Sequence, residues 1–144
     1  MENQNYTSTI EVTNSPQDVF NHISDVSKWW SKEFEGSSTK LNDEFIIRSR
    51  DRHYSKQKLV EVIPDKKVVW LVTDSKLNWI EKDKTEWTNT RLVFEIATKG
   101  DKTLLHFTHE GLVPVKECFA RCEQVWNMLI KERLFNFIIN GEVK

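Results

Sequence analysis

Residues 117–142 read ECFARCEQVWNMLIKERLFNFIINGE, and the spacing of their apolar side chains decides the fold. Phe119, Cys122, Trp126, Leu129, Arg133 and Phe137 recur three or four apart, with Val125, Ile130, Leu134 and Ile138 beside them. That is the period of one face of an α-helix. Gly141 is a natural stop, because the left-handed backbone that ends many helices costs glycine little. At about 1.5 Å per residue the segment predicts a helix near 35 Å long. A helix of that length draws its stability from burying its apolar face against another element.

The chain ahead of it supplies that partner. From 43 to 111 the period is two. DEFIIRS (43–49) sets Phe45 and Ile47 against Glu44, Ile46 and Arg48, and KLVEVI (58–63) sets Val60 and Val62 against Glu61. VVWLV (68–72) follows after PDKK (64–67), a proline-led turn that makes these two strands a hairpin; it is apolar at both parities, so the face of Trp70 stays open. KLNWIEKDKTEWTN (76–89) breaks the alternation with charges and two tryptophans and reads as a long connection. RLVFEIA (91–97) and TLLHFTHE (103–110) are joined by TKGDK, whose glycine suits a tight turn.

At the start, YTSTIEV (6–12) alternates with Ser8, Ile10 and Val12 on one side. NSPQDVFNHISDVSKWW (14–30) then carries a helix-start signature: Ser15 as N-cap, Pro16 at the first helical position and Asp18 within reach of the cap. It predicts a short helix burying Val19, Phe20 and Ile23, then a second short helical turn; EGSS (35–38) is a loop. The expected architecture is α+β: a curved antiparallel sheet of about six strands around a long C-terminal helix, with two short helices after the first strand. A sheet with one apolar face must bury it, and the long helix is the element able to cover it. The 144 residues form one domain, 1–144, long enough to bury a core without staples.

HFTHE (106–110) raises the question of a metal, since two histidines and an acid could serve zinc. Pairing the last two strands puts Phe107 opposite Phe94 and Leu105 opposite Ile96. His109 then shares the inner face while His106 takes the other one, because residues an odd number apart on a strand point to opposite sides. The stretch therefore predicts no metal site, and nothing in the sequence calls for a cofactor. Cys118 and Cys122, the only cysteines, lie four apart on a helix, a poor geometry for a disulfide, and read as reduced thiols.

Lysine and arginine number 21 against 22 acids, a formal charge of −1, and no segment gathers enough of one sign to suit nucleic acid or a membrane surface. The N-terminal stretch shows no basic segment followed by an apolar run, and a cytoplasmic location is expected. Six tryptophans and eight phenylalanines stand out in a chain only 38% hydrophobic. Such rings can line a cavity as readily as fill a core.

The element order, with TIEVTNSPQDVFNHISDVSKWW (9–30), LVEVIPDKKVVWLV (59–72) and LLHFTHEGLVP (104–114), resembles the START-like, or SRPBCC, superfamily and its helix-grip fold. It most resembles the branch related to the C-terminal domain of the activator of heat-shock protein 90 ATPase. The resemblance spans essentially the whole chain and guides fold more than function, since relatives include lipid carriers, hormone receptors, cyclases and co-chaperone domains.

The leading expectation is a binding module for a hydrophobic small molecule, a lipid or an aromatic compound, between sheet and helix. Its candidate lining is Phe45, Val60, Val62, Trp70, Phe94, Phe107 and His109 from the sheet, with Trp126, Leu129 and Phe137 from the helix. A buried imidazole needs a hydrogen-bond partner, so His109 should bond a neighbour or a ligand. The chain is not expected to be an enzyme; if it were, His109 would be the candidate general acid or base. His22 and His53 fall at surface-like positions. A third expectation, implied by the resemblance, is a chaperone partner. The tryptophan-bearing connection Trp79 to Trp87 would be its interaction surface, or else a lid over the pocket.

Overall fold

The computed structural model describes residues 5–50, 52–78, 80, 81, 84–113 and 119–140. Cys118, Trp79 and Gly141, on which three of the readings above fall, lie outside them. The order of elements is strand β1 (Tyr6–Val12), helix α1 (Pro16–Ser24), a 3₁₀ turn (Val26–Lys28), then strands β2 (Phe34–Gly36), β3 (Glu44–Ser49), β4 (His53–Ile63), β5 (Lys67–Leu77), β6 (Arg91–Lys99) and β7 (Lys102–Glu110). The C-terminal helix follows in three parts: α2 (Phe119–Met128), a π-helical segment (Leu129–Leu134) and α3 (Phe135–Asn140).

All seven strands join one antiparallel sheet in the order β1-β7-β6-β5-β4-β3-β2. The first two strands in sequence therefore lie at opposite edges, and α1 with its following turn bridges between them. The expected sheet of about six strands gains a seventh, the three-residue β2, whose Glu35 and Gly36 take up the first half of the expected EGSS loop. Glycine is required there: at φ +105° a Cβ would stand 2.3 Å from the carbonyl oxygen of Glu44.

Local chemistry at the helix start follows its sequence signature. Ser15 Oγ accepts from the Asp18 backbone N–H at 3.1 Å, Pro16 opens α1, and Asn14 Nδ2 donates to the Asp18 carboxylate at 2.6 Å. Val19 and Ile23 are fully buried. The β6–β7 hairpin has the expected register, Phe94 opposite Phe107 and Ile96 opposite Leu105.

The C-terminal helix turns its stripe onto the sheet: Cys122, Trp126, Leu129, Ile130, Leu134, Phe137 and Ile138 are buried. Val125, expected beside that stripe, is instead exposed on the outer side. In a straight α-helix the row Trp126, Ile130, Leu134, Ile138 would drift by about 40° at each step of four residues. The wider π-helical turn reduces that drift, with the Phe135 N–H bonded to the carbonyl of Ile130 five residues back. Arg133 reaches inward from this segment and donates Nε–H to the Trp29 carbonyl at 2.7 Å.

Two irregularities in the β4–β5 ladder decide which side chains face the helix. Register shifts fall between Lys56 and Gln57 and between Leu59 and Glu61. Before the second one the odd residues of β4 point inward: Ser55, Gln57 and Leu59 are buried to 1% exposure or less. Val60 is the extra residue of the bulge, has no register partner and stays outside the core, so its expected inward placement is corrected. Val62, beyond the bulge and opposite Val68, packs half-buried against the core. The shift on β5 restores the inward parity to Ser75 and Leu77. Trp70, whose face the sequence left open, points inward and is fully buried.

Candidate functional site

Between sheet and helix lies a continuous cluster of aromatic rings. Trp70 sits at its centre, 5.0 Å from Phe45, 4.6 Å from Phe94, and stacked on Trp29 and Trp30 at 6.4 and 6.2 Å. Phe94 meets Phe107 at 4.9 Å, and Phe107 meets Trp126 at 4.5 Å. Trp87 stacks nearly parallel on Trp126 at 5.6 Å and donates its indole N–H to Cys122 Sγ at 3.4 Å. The five tryptophans at 29, 30, 70, 87 and 126 thus belong to one contiguous group.

Polar side chains run through this cluster. His109 is fully buried and both its ring nitrogens are bonded: Trp126 Nε1–H donates to Nδ1 at 3.0 Å, and Nε2 lies 2.8 Å from Thr90 Oγ1. Thr90 Oγ1–H in turn donates to the Trp87 carbonyl at 2.5 Å. With Nδ1 accepting, the proton sits on Nε2 and is directed at Thr90, a neutral tautomer with each group in one role. Gly111, at φ +101°, turns the chain just behind this network, and a Cβ there would stand 2.7 Å from Thr90 Cγ2. His106 lies on the other face, its Nδ1 2.7 Å from Thr9 Oγ1, so the two histidines diverge as the strand period requires.

A second polar row runs along β4. His53 Nε2 lies 2.8 Å from Ser55 Oγ, which also accepts from Gln57 Nε2 at 2.6 Å. The His53 ring is wedged against Trp87, 5.0 Å away edge-to-face, and against Trp30 at 6.1 Å. Burial among these rings pushes its pKa down to about 4. The expected surface placement of His53 is therefore corrected; His22 is likewise half-buried, with its ring edge-on to Phe137 at 4.6 Å. Trp87 and His109 meet edge-to-face at 4.8 Å, so one indole stands between two imidazoles.

Among the described residues three buried side-chain polar atoms have no hydrogen-bond partner: Ser8 Oγ, at the β1 edge opposite Phe107, and, nearer the middle of the sheet, Gln57 Oε1, an acceptor, and Trp70 Nε1–H, a donor. The Gln57 and Trp70 side chains are fully buried. Phe45 is the register partner of Gln57 across β3–β4, and Phe45 is also in ring contact with Trp70, so the two orphaned atoms belong to the same part of the inner face.

Of the ten residues expected to line a site, Phe45, Trp70, Phe94, Phe107, His109 and Trp126 come together here. Leu129 and Phe137 are buried with them in the same core, but Phe137 turns its ring to α1. Val62 lies at the margin and Val60 outside. The sequence reading passed over Trp29, Trp30, His53, Ser55, Gln57 and Thr90. For the β4 trio a signal existed: Lys56 and Lys58 mark the outer parity, which leaves His53, Ser55, Gln57 and Leu59 facing in. Trp87, expected either on an interaction surface or in a lid over the pocket, is buried at 4% exposure. Two open grooves elsewhere, of about 580 Å³ beside Pro16 and Lys66 and about 400 Å³ beside Thr7 and Glu123, include none of the ten.

An antiparallel sheet closed over one long C-terminal helix, with a ring-lined interior between them, defines a protein of the helix-grip class. The chain belongs to the family described as Activator of Hsp90 ATPase homolog 1-like protein, whose model matches residues 14–137. No curated protein sequence matches it at a significant level. Among solved structures it is similar to the Aha1 dimer from Colwellia psychrerythraea, with 20% identity, 96% of this chain and 98% of that one covered, and a TM-score of 0.77. It is also similar to protein MLL2253 from Mesorhizobium loti (12% identity, 96% and 100% covered, TM-score 0.73). A third is DynU16, a putative protein in the dynemicin biosynthetic locus (11%, 96% and 48%, TM-score 0.69). At these identities the likeness is one of fold.

Proposed function

We propose that this chain binds an apolar small molecule in the interior between the sheet and the C-terminal helix. The observation that carries the reading is the set of polar side chains, buried Ser55, Gln57, Thr90 and His109 with half-buried His53, placed among aromatic rings where apolar residues would pack at lower cost. A core selected for stability alone has no use for it; a binding interior needs a few placed polar groups on apolar walls. This reading assigns no catalytic step to His109, and its hydrogen bonds to Trp126 and Thr90 support a positioning role for the ring. An amide and indole NMR titration against lipids and planar aromatic compounds tests it. Saturable shifts should cluster on Phe94, Phe107, His109 and Trp126; shifts confined to the outer face would overturn it.

A second reading, contact with a chaperone ATPase, draws support from the family description and from Val125 and Met128, exposed on the outer side of α2. Val125→Asp with Met128→Asp should then abolish capture of a purified Hsp90-type chaperone while leaving small-molecule binding intact. Capture unchanged by the pair would sink this reading.

A further inference from the structure

We infer that the interior recognises a neutral hydroxyl group on an apolar molecule, held between Trp70 Nε1 and Gln57 Oε1. The inference rests on the binding role proposed above and adds the chemistry of the ligand.

The two orphaned atoms are of opposite kind. A buried indole N–H without an acceptor and a buried carboxamide oxygen without a donor each forgo a hydrogen bond they would have in water. Gln57 presents its acceptor rather than its donor side, with Nε2 donating to Ser55 Oγ at 2.6 Å. One group can satisfy both atoms if it accepts from Trp70 and donates to Gln57 at a single point. A hydroxyl oxygen does this with one lone pair and its own proton.

A carboxylate does not. It has no proton for Gln57 Oε1, and its second oxygen would face that acceptor directly. No Lys, Arg, Asp or Glu is among the buried residues of the described chain, so an ionised head group would find no counter-charge in this part of the interior. Arg133, which does reach inward, is directed at the Trp29 carbonyl. The rings of Phe45, Trp70 and Phe94 around the pair favour a flat apolar skeleton behind the hydroxyl.

Three probes of one shape separate the possibilities: 2-naphthol, naphthalene and 2-naphthoate, titrated calorimetrically at neutral pH into the full chain. The inference expects 2-naphthol to bind at least tenfold more tightly than either of the others. Gln57→Leu and Trp70→Phe should each abolish the preference for 2-naphthol over naphthalene, read as the ratio of the two affinities within each variant. Equal binding of naphthol and naphthalene by the unaltered chain overturns the hydroxyl site but leaves the apolar binding role standing. Tightest binding of naphthoate overturns the neutral-group argument. If none of the three binds and NMR shows no interior shifts with any apolar compound, the binding role fails and takes this inference with it. The comparison on the unaltered chain decides the matter even should a variant fold poorly.

Discussion

His53 is where a single side chain sets a property of the whole protein. Its imidazole is wedged between Trp87 and Trp30, and burial holds its pKa near 4, against an ordinary value of 6.5. The unfolded chain takes up a proton there as pH falls below 6.5, whereas the folded chain resists until about 4. More protons bound in the unfolded state means that stability falls with pH across that window, by about 3 kcal/mol from this group, and levels off below it. Denaturant melts between pH 7 and pH 4 check the slope, and His53→Phe, which keeps the ring contacts, should remove most of it. A slope unchanged in that variant would place the titration elsewhere. His109 makes a different demand. Its replacement by Ala leaves Trp126 Nε1–H without an acceptor, takes from Thr90 Oγ1 one of its two hydrogen bonds and opens a cavity, and should cost about 3–5 kcal/mol in the same measurement. Gly111→Ala is expected to be destabilising as well, since the new Cβ meets Thr90 in a backbone conformation that alanine rarely adopts.

Among the elements, β4 shows how far sequence could be read and where it failed. Alternation found the inner faces of β1, β3, β6 and β7, and even the Phe94–Phe107 register, because those ladders are uninterrupted. In β4 the bulge at Val60 reverses parity midway, so a face assigned from Val60 and Val62 is wrong for everything before them. That single extra residue hid Ser55, Gln57 and Leu59 from view. Trp87 was missed for another reason: charged neighbours made its segment look like a solvent loop, and only the tertiary stack on Trp126 shows it to be core. The consequence is measurable. Leu59→Ala should destabilise by about 2–4 kcal/mol and Val60→Ala by less than about 1 kcal/mol; the reverse order would contradict the bulge. The long helix was legible throughout its inner stripe, and its π-helical turn was not, since nothing in apolar spacing separates a wide turn from a regular one.

At the scale of the molecule, one sheet and one helix enclose an interior that combines many aromatic rings with several buried polar groups. The family and its structural relatives account for the enclosure. The contents of the interior, with an indole donor on β5 and a carboxamide acceptor on β4 left unpaired on the same inner face, are what the proposed binding rests on. The most direct test follows the Trp70 indole N–H resonance during a 2-naphthol titration of the labelled chain. Interior binding predicts a saturable downfield shift of that resonance, with smaller changes at Phe94 and Trp126. A Trp70 signal that stays still while the compound binds, or shifts that gather only on the outer side of the C-terminal helix, would contradict it.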